Sequence, residues 1–284
     1  MKKVLAFDCG GTNTRLALIN EKFKVEKVLI NPTTKNDPKA WVNNIISMVK
    51  QFPLENVVAI SLGIPGVCDR KNGVILNMSN VYNDEIKIRQ ILSKEFGLPV
   101  FIRNDAEVAC LGEAHRGAGK GHKRVFFITI STGLGGALCV DGINQDYITE
   151  IGHTAYVYKG HVSEYEKLVS GLNITNLAKF NKIKCESARE MFQGVRDNKP
   201  EYLKLFNEWF QILSNFIQMI NDSYKPDIIC VTGGLTKSKD LFLKKLAKEN
   251  PQSKIVECKF SEDAGIIGSA VYGFQSVKNN WFII

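Results

Sequence analysis

The chain lacks paired cysteines, long apolar runs and standard nucleotide motifs, and each absence removes a class of protein. Its seven cysteines (Cys9, Cys68, Cys110, Cys139, Cys185, Cys230 and Cys258) form no Cys-x-x-Cys and no paired spacing. That argues against a disulfide framework and for a reduced, cytosolic compartment in which cysteine is a small apolar filler. No segment approaches the length of a membrane span. The N-terminal apolar run Val4–Phe7 is too short for the core of a signal peptide, and Asp8 interrupts it. The expectation is a soluble, cytoplasmic protein with no membrane partner. Neither the P-loop spacing nor G-x-G-x-x-G is present. Gly117-Ala118-Gly119-Lys120-Gly121-His122 superficially resembles a P-loop but has the wrong spacing, and no helical pattern follows it. No low-complexity region or long linker occurs either.

What the chain does have is length and apolar content. Its 284 residues are 44% hydrophobic, enough for one large domain or two modest ones. The net charge of +8 raises a nucleic-acid reading. The lysines, however, are scattered and often lie beside acids, and the densest group (Lys237, Lys239, Lys244, Lys245, Lys248) falls on a helical pattern. A solvated helix face explains that group better, so no nucleic-acid partner is expected.

The chain is organised around Val4–Ile19, in which an apolar run meets Asp8, Gly10, Gly11, Thr12 and Asn13 and a second apolar run follows Arg15. Two short strand-like runs around a Gly-containing turn read as a hairpin, and backbone N–H groups of such a turn can cradle a phosphate. A plain tight hairpin is the competing reading. A third strand is expected over Phe23–Ile30. A helix opens at Asp37/Pro38 and runs to about Lys50, with Trp41, Ile45, Ile46 and Val49 on one face. The apolar runs Asn56–Leu62 and Leu98–Ile102 read as buried strands, with a helix over Ile86–Phe96 between them. The first ends in Gly63-Ile64-Pro65-Gly66, the second in Arg103-Asn104-Asp105-Ala106-Glu107 and a helical segment to about Gly112. Gly117–His122 is the seam. Beyond it, Val125–Ile130, Ser131–Gly136 and Ala137–Val140 repeat the opening design of strand, Thr/Gly turn and strand. Glu150-Ile151-Gly152-His153 follows, then helices over 163–180 and 201–224. Asp227–Val231 is a buried strand ending at Thr232-Gly233-Gly234-Leu235, and a last helix begins near Asp263-Ala264. Strands alternating with helices point to α/β architecture with a largely parallel sheet.

Four of these stretches, in order, resemble the sugar kinases of the ROK family: AFDCGGTNTR, RNDAEVACLGE, STGLGG followed by EIGH, and VTGGL followed by DAGIIGSA. The likeness runs from residue 4 to residue 272. It implies a two-domain actin-like, ribonuclease-H-like ATPase fold with an active-site cleft between the domains. The N-terminal α/β domain would be residues 1–116, with a C-terminal helix at about 270–284 packing back on it, and the larger α/β domain residues 117–269. The resemblance implies MgATP and a small-molecule sugar as ligands and a homodimer as the assembly. Asp8, Gly10, Gly11, Thr12 and Asn13 would hold nucleotide on one side, Thr132, Gly133, Gly233 and Gly234 on the other. Asp8 would orient Mg²⁺, which keeps several waters and takes few carboxylates. Asp105 is the expected general base, since it lies just beyond a buried strand, where open α/β sheets present ligand-binding residues. The other reading of Asn104-Asp105 is a helix cap. Sugar contacts carry over to Asn104, Asp105, Glu150, His153 and Glu166, with Gly66 and Asn80 also in the pattern. Alone, His153 would read as a structural histidine and Glu166 as a solvated helix position; Glu166 is singled out because Ser170-Gly171 follow at the family's spacing.

Two departures stand out. The family often carries a zinc loop, Cys-x-Cys-Gly-x-x-Gly-Cys-x-Glu, completed by the counterpart of His153. Here Val157, Lys159 and Glu164 occupy the cysteine positions and only Gly160 is kept. These residues cannot replace thiolates in a tetrahedral site, so no zinc is expected. Asn13 stands where many relatives have Lys, and Arg15 either compensates for that charge or is a surface residue. The expected activity is transfer of the γ-phosphate of ATP to the 6-hydroxyl of a hexose or N-acylhexosamine. N-acetylmannosamine is favoured on the STGLGG, EIGHT and DAGIIG segments, and glucose is the alternative. Fructose and N-acetylglucosamine kinases stay open. A sugar-responsive regulator of the same family would need a helix-turn-helix domain ahead of Asp8, for which seven residues leave no room.

Overall fold

The computed structural model describes residues 1–78, 85–145 and 150–280. The chain divides into two compact units: Met1–His115 with Glu262–Ile284, and Arg116–Ser261. Each is built on a five-stranded sheet with its own apolar core.

In the first unit, β1 (Lys3–Cys9) and β2 (Asn13–Asn20) form the opening hairpin, in antiparallel register from Lys3↔Asn20 to Cys9↔Thr14. β3 (Val25–Pro32) extends it, two residues later than its apolar pattern suggested. α1 (Pro38–Val49) starts where expected: Asp37 accepts a hydrogen bond from Ala40 N at 2.9 Å, and Pro38 takes the first helical position, where no N–H is needed. Trp41, Ile45, Met48 and Val49 are buried along one stripe. β4 (Val57–Ile64) is buried over nearly its whole length because it lies between β1 and β7, parallel to both. A small hairpin, β5 (Val67–Asp69) with β6 (Val74–Asn77), leads to α2 (Ile88–Phe96), which ends at Gly97 in the left-handed conformation. β7 (Val100–Asn104) passes directly into α3 (Asp105–Arg116). The strand order is β3-β2-β1-β4-β7.

The second unit repeats that plan. β8 (Arg124–Ile130) and β9 (Leu134–Val140) form an antiparallel hairpin, with β10 (Ile143–Asn144) beside β9. β11 (Ala155–Tyr158) and β12 (His161–Glu164) form a separate hairpin. Four helices follow: α4 (Glu166–Val169), α5 (Ile174–Phe180), α6 (Ala188–Arg196) and α7 (Pro200–Tyr224). β13 (Ile228–Thr232), α8 (Lys239–Glu249) and β14 (Lys254–Glu257) complete the unit, in the order β10-β9-β8-β13-β14. β13 is parallel to β8 and to β14, as β4 is to β1 and β7. The lysine-rich segment is indeed helical, as α8. α7 buries Leu205, Trp209, Leu213, Phe216, Ile217 and Ile220 in its own unit, and Trp209 Nε1 donates to Val169 O at 2.9 Å. Its apolar stripe is therefore a core face.

Two expectations fail here. Residues 163–180 are not one helix. Lys159 and Gly160 both take positive φ (49° and 81°) and close the β11–β12 hairpin, the mark of a two-residue type I′ loop. Gly171 N then donates to Ser131 O at 2.7 Å, which breaks the helical run between α4 and α5. The second is the return point: α9 (Ala264–Lys278) belongs to the first unit from its first turn, earlier than the expected boundary at residue 269. Contact explains it. Ser269 Oγ donates to Phe7 O at 2.7 Å, and a side chain at Gly268 would meet Val108 O at 1.6 Å.

Candidate functional site

In the first unit the candidate residues gather at the carboxyl ends of three adjacent parallel strands. Asp8 pairs with Gly63 across β1–β4, and Ile64 pairs with Asn104 across β4–β7. This is the edge at which open α/β sheets bind ligands. The Gly10–Asn13 turn is closed by Gly10 N donating to Asn13 O (2.9 Å), and braced by Thr33, whose N donates to Thr12 O (2.9 Å) and whose Oγ1 donates to Gly10 O (2.7 Å). The N–H groups of Gly11 and Thr12 have no partner among the described residues. Two adjacent, unused backbone donors are what an anion needs.

Asp8 sits against the start of α9, so close that a side chain at Gly265 would meet its Cγ at 2.5 Å. Burial pushes its carboxyl up to about 6; Arg15 pulls the other way and Asp263 adds to the rise. Arg15 is engaged, donating to Glu262 O and to the Asp263 carboxylate, so it ties β2 to the first turn of α9. A hard carboxylate with a second acid nearby is a donor set that suits Mg²⁺.

Asn104 serves as the N-cap of α3. Its Oδ1 accepts from Ala106 N at 2.9 Å and Glu107 N at 3.3 Å, and its Nδ2 donates to Gly66 O at 3.1 Å. General base and helix cap are the two readings of Asn104-Asp105, and the structure shows the cap on Asn104. Asp105 is the first residue of α3 and accepts from Ala106 N at 2.8 Å. Burial pushes the Cys9 thiol up, and the charges of Asp8 and Asp105 add to the rise. Behind them lies a buried pair, Arg103 Nε to Glu107 Oε2 at 2.8 Å, with the guanidinium 5.3 Å from the Tyr272 ring centroid.

In the second unit, the Thr132–Gly133 turn is the point on which the other candidates converge. Ser131 N donates to Gly133 O at 2.9 Å, and the N–H groups of Thr132 and Gly133 have no partner among the described residues. Glu166 Oε2 accepts from Leu134 N at 2.8 Å, on the same turn. A side chain at Gly152 would meet Leu134 O at 2.1 Å, so only glycine lets the Ile151–His153 turn lie this close to β9. Glu150, just before it, holds φ at 58°, rare for a non-glycine residue. His153 lies between two acids: Nδ1 is 2.9 Å from Glu164 Oε2, and Nε2 is 3.6 Å from Glu150 Oε2. The hydrogen bond to Glu164 is the main cause raising its pKa. Gly233, at φ 105°, follows β13, and a side chain there would meet Ile130 O at 2.3 Å. At Gly234 a side chain would meet nothing within 4 Å, which leaves open surface where a flat group could lie.

The structure therefore brings together Asp8, Gly10–Asn13, Gly66, Asn104 and Asp105 in one unit, and Thr132, Gly133, Glu150, His153 and Glu166 in the other. Gly233 and Gly234 share the sheet edge of the latter group. Asn80 lies outside the described residues. Two partners, Asp263 and Glu164, are additional to the expected residues. Asp263 could not be found from its own segment, because its partner Arg15 is 248 residues away. Glu164 could have been: Ala-Tyr-Val-Tyr and His-Val-Ser-Glu around Lys159-Gly160 carry a hairpin pattern.

The sequence pattern of the ROK family matches residues 4–274. A glucokinase of Halalkalibacterium halodurans is 25% identical, covering 84% of this chain and 82% of its own. A Listeria monocytogenes structure, of a protein proposed to be an N-acetylmannosamine kinase, superposes with a TM-score of 0.84 at 22% identity and covers 98% of this chain and 100% of its own. A ROK glucokinase from Streptomyces griseus, solved with glucose and AMPPNP, gives 0.76 at 22% identity over 96% of this chain and 99% of its own. The two repeated sheets are those of the actin-like ATPase fold.

Proposed function

The chain belongs to the ROK family, and from that premise we propose that it is an ATP-dependent sugar kinase, phosphorylating the 6-hydroxyl of a hexose or N-acylhexosamine. One observation carries the reading. Glu166 accepts from Leu134 N beside the unused N–H groups of Thr132 and Gly133, which suit a phosphate, and Gly152, between Glu150 and His153, lies against Leu134. Polyol ligands and an anion cradle in one constellation are what a sugar kinase requires.

Phosphoryl transfer leaves the protein chiefly positioning and charge stabilisation. The N–H pairs of Gly11–Thr12 and Thr132–Gly133 are the donors for phosphate oxygens, and the open surface at Gly234 suits the adenosine. Asp8 would hold Mg²⁺, which when bound neutralises charge on the phosphate oxygens. Asp105 takes the proton of the attacking hydroxyl. Asn104, fixed by Gly66 O and by capping α3, presents its side chain to the sugar. Glu150 and the neighbouring Nε2 of His153 lie 3.6 Å apart. A carboxylate and an imidazole nitrogen so close suit a ligand with adjacent hydroxyls, and an analogue lacking one leaves a polar partner unmet.

N-acetylmannosamine is the favoured substrate, supported by the STGLGG, EIGHT and DAGIIG segments and by the Listeria neighbour. Glucose is the second reading, supported by Glu150, His153 and Glu166 together and by the glucokinase relatives. A coupled ADP-release assay with N-acetylmannosamine, glucose, N-acetylglucosamine and fructose separates them, and no turnover with any of the four rejects the kinase reading. Asp105→Asn should lower kcat by roughly a hundredfold or more with sugar affinity within about threefold; retained turnover excludes Asp105 as the base.

A further inference from the structure

The zinc loop that the family pattern would place beside His153 does not fit this chain. Its thiolate positions are Val157, Lys159 and Glu164; Val157 is 64% exposed and faces Val162, 80% exposed, across the β11–β12 hairpin. Among the described residues no group of three His, Cys, Asp or Glu side chains could hold a metal. Yet His153 is not left loose. Its Nδ1 meets Glu164 Oε2 at 2.9 Å.

We propose that Glu164 is the positioning residue for His153, a carboxylate clamp that orients the imidazole so that the sugar site works without zinc. An ionised carboxylate only accepts, so Nδ1 must carry the proton in this bond. In the neutral ring that leaves Nε2 as an acceptor on the side of Glu150. Orientation of an imidazole by a partner on its other nitrogen is the ordinary way in which a histidine's tautomer is set. The backbone makes the clamp reproducible. The two-residue turn at Lys159-Gly160 fixes the hairpin register, and the register pairs Ala155 with Glu164. Glu164 is thus returned to within two residues of His153 along the partner strand. Two residues later the same chain delivers Glu166 to Leu134 N. The end of the hairpin and the start of α4 therefore supply the two carboxylates. The other charged groups facing the ring are Glu150 and Glu166, with Lys167 on the wall of the adjoining depression.

The proposal rests on the reading of His153 as a sugar ligand, and its test separates the two. The chain has only four histidines, so ¹⁵N-detected NMR of the full-length protein can assign the tautomer of His153. The expected result is an Nδ1–H tautomer in the wild type, lost in Glu164→Ala and kept in Glu164→Gln, whose amide oxygen still accepts. In ADP-release kinetics, Glu164→Ala should raise the sugar KM about tenfold or more with kcat within about twofold, and Glu164→Gln should recover most of that loss. Wild-type protein treated with 1,10-phenanthroline and freed of chelator should keep its sugar KM. An Nε2–H tautomer in the wild type, a tautomer unmoved by Glu164→Ala, or one zinc per chain whose removal raises KM would each overturn the clamp. If the tautomer responds as stated while no sugar is turned over, the clamp stands and the kinase reading falls.

Discussion

Asp8 lies near the end of β1 against the first turn of α9, and burial there raises its carboxyl from the usual value to about 6. Below pH 4 the group is protonated whether the chain is folded or not, and it costs the fold nothing. Between about 4 and 6 the unfolded chain gives up a proton that the folded one keeps, so stability falls as pH rises; above 6 the whole penalty is present. Asp8→Asn should therefore stabilise the ligand-free protein by roughly 2–4 kcal/mol at pH 8, with the gain vanishing towards pH 4. Urea denaturation at the two pH values measures it, and equal stability of the two proteins at pH 8 contradicts it. The same variant should lose turnover if Asp8 holds Mg²⁺. The motifs that resemble the ROK family made Asp8 and Asp105 legible as candidates; alone, a tight hairpin and a helix cap would explain the same residues. The state of Asp8 was not legible. It depends on Gly265 and Asp263, which reach it only through the fold.

At the scale of elements, the junction of β7 and α3 carries the argument. Asn104 and Asp105 sit there between Arg103 and Glu107, whose side chains are only 3% and 5% exposed. Four residues apart, they join the end of a strand to the first turn of its helix. Removing one partner leaves a charge buried without its mate, which costs about 3–5 kcal/mol. Glu107→Ala and Arg103→Ala should each destabilise by that order, and Arg103→Met with Glu107→Leu should recover most of it. Thermal melts of the three variants read the outcome; if the double variant is as unstable as the sum of the singles, the pair is not acting as a unit. Most elements could be read locally, since apolar period and caps agree: Asp37-Pro38 opens α1 and a continuous apolar run makes β4. The expected 163–180 helix failed because its breaks are set by Lys159-Gly160 and by Gly171 bonding Ser131, a partner forty residues away.

For the whole molecule, the consequence of the fold is that one unit is continuous in sequence and the other is not. Arg116–Ser261 carries its sheet, helices and core without a residue from elsewhere. Met1–His115 depends on α9, which buries Ile266, Ile267, Val271 and Tyr272 against it. Losing four such side chains, at about 1.5–3 kcal/mol each, removes as much as a typical domain's entire net stability of about 5–15 kcal/mol. Residues 116–261 expressed alone should unfold cooperatively on heating, whereas residues 1–115 alone should not. Circular dichroism melts of both fragments check this, and a cooperative transition in 1–115 would show that α9 is dispensable.

The sequence by itself determined the α/β class, the two Gly/Thr hairpins, the capped start of α1 and the short list of acids and amides worth testing. Those features follow from apolar period, turn chemistry and residue type, all of which act over a few neighbours along the chain. Tertiary structure alone decided that Arg15 ties down the start of α9, that α9 joins the first unit from its first turn and not only from about residue 270, and that the Glu164 carboxylate reaches Nδ1 of His153. Each of these is a contact made through strand register or helix packing. Such contacts follow from where the backbone returns in space, which no local window of residues contains.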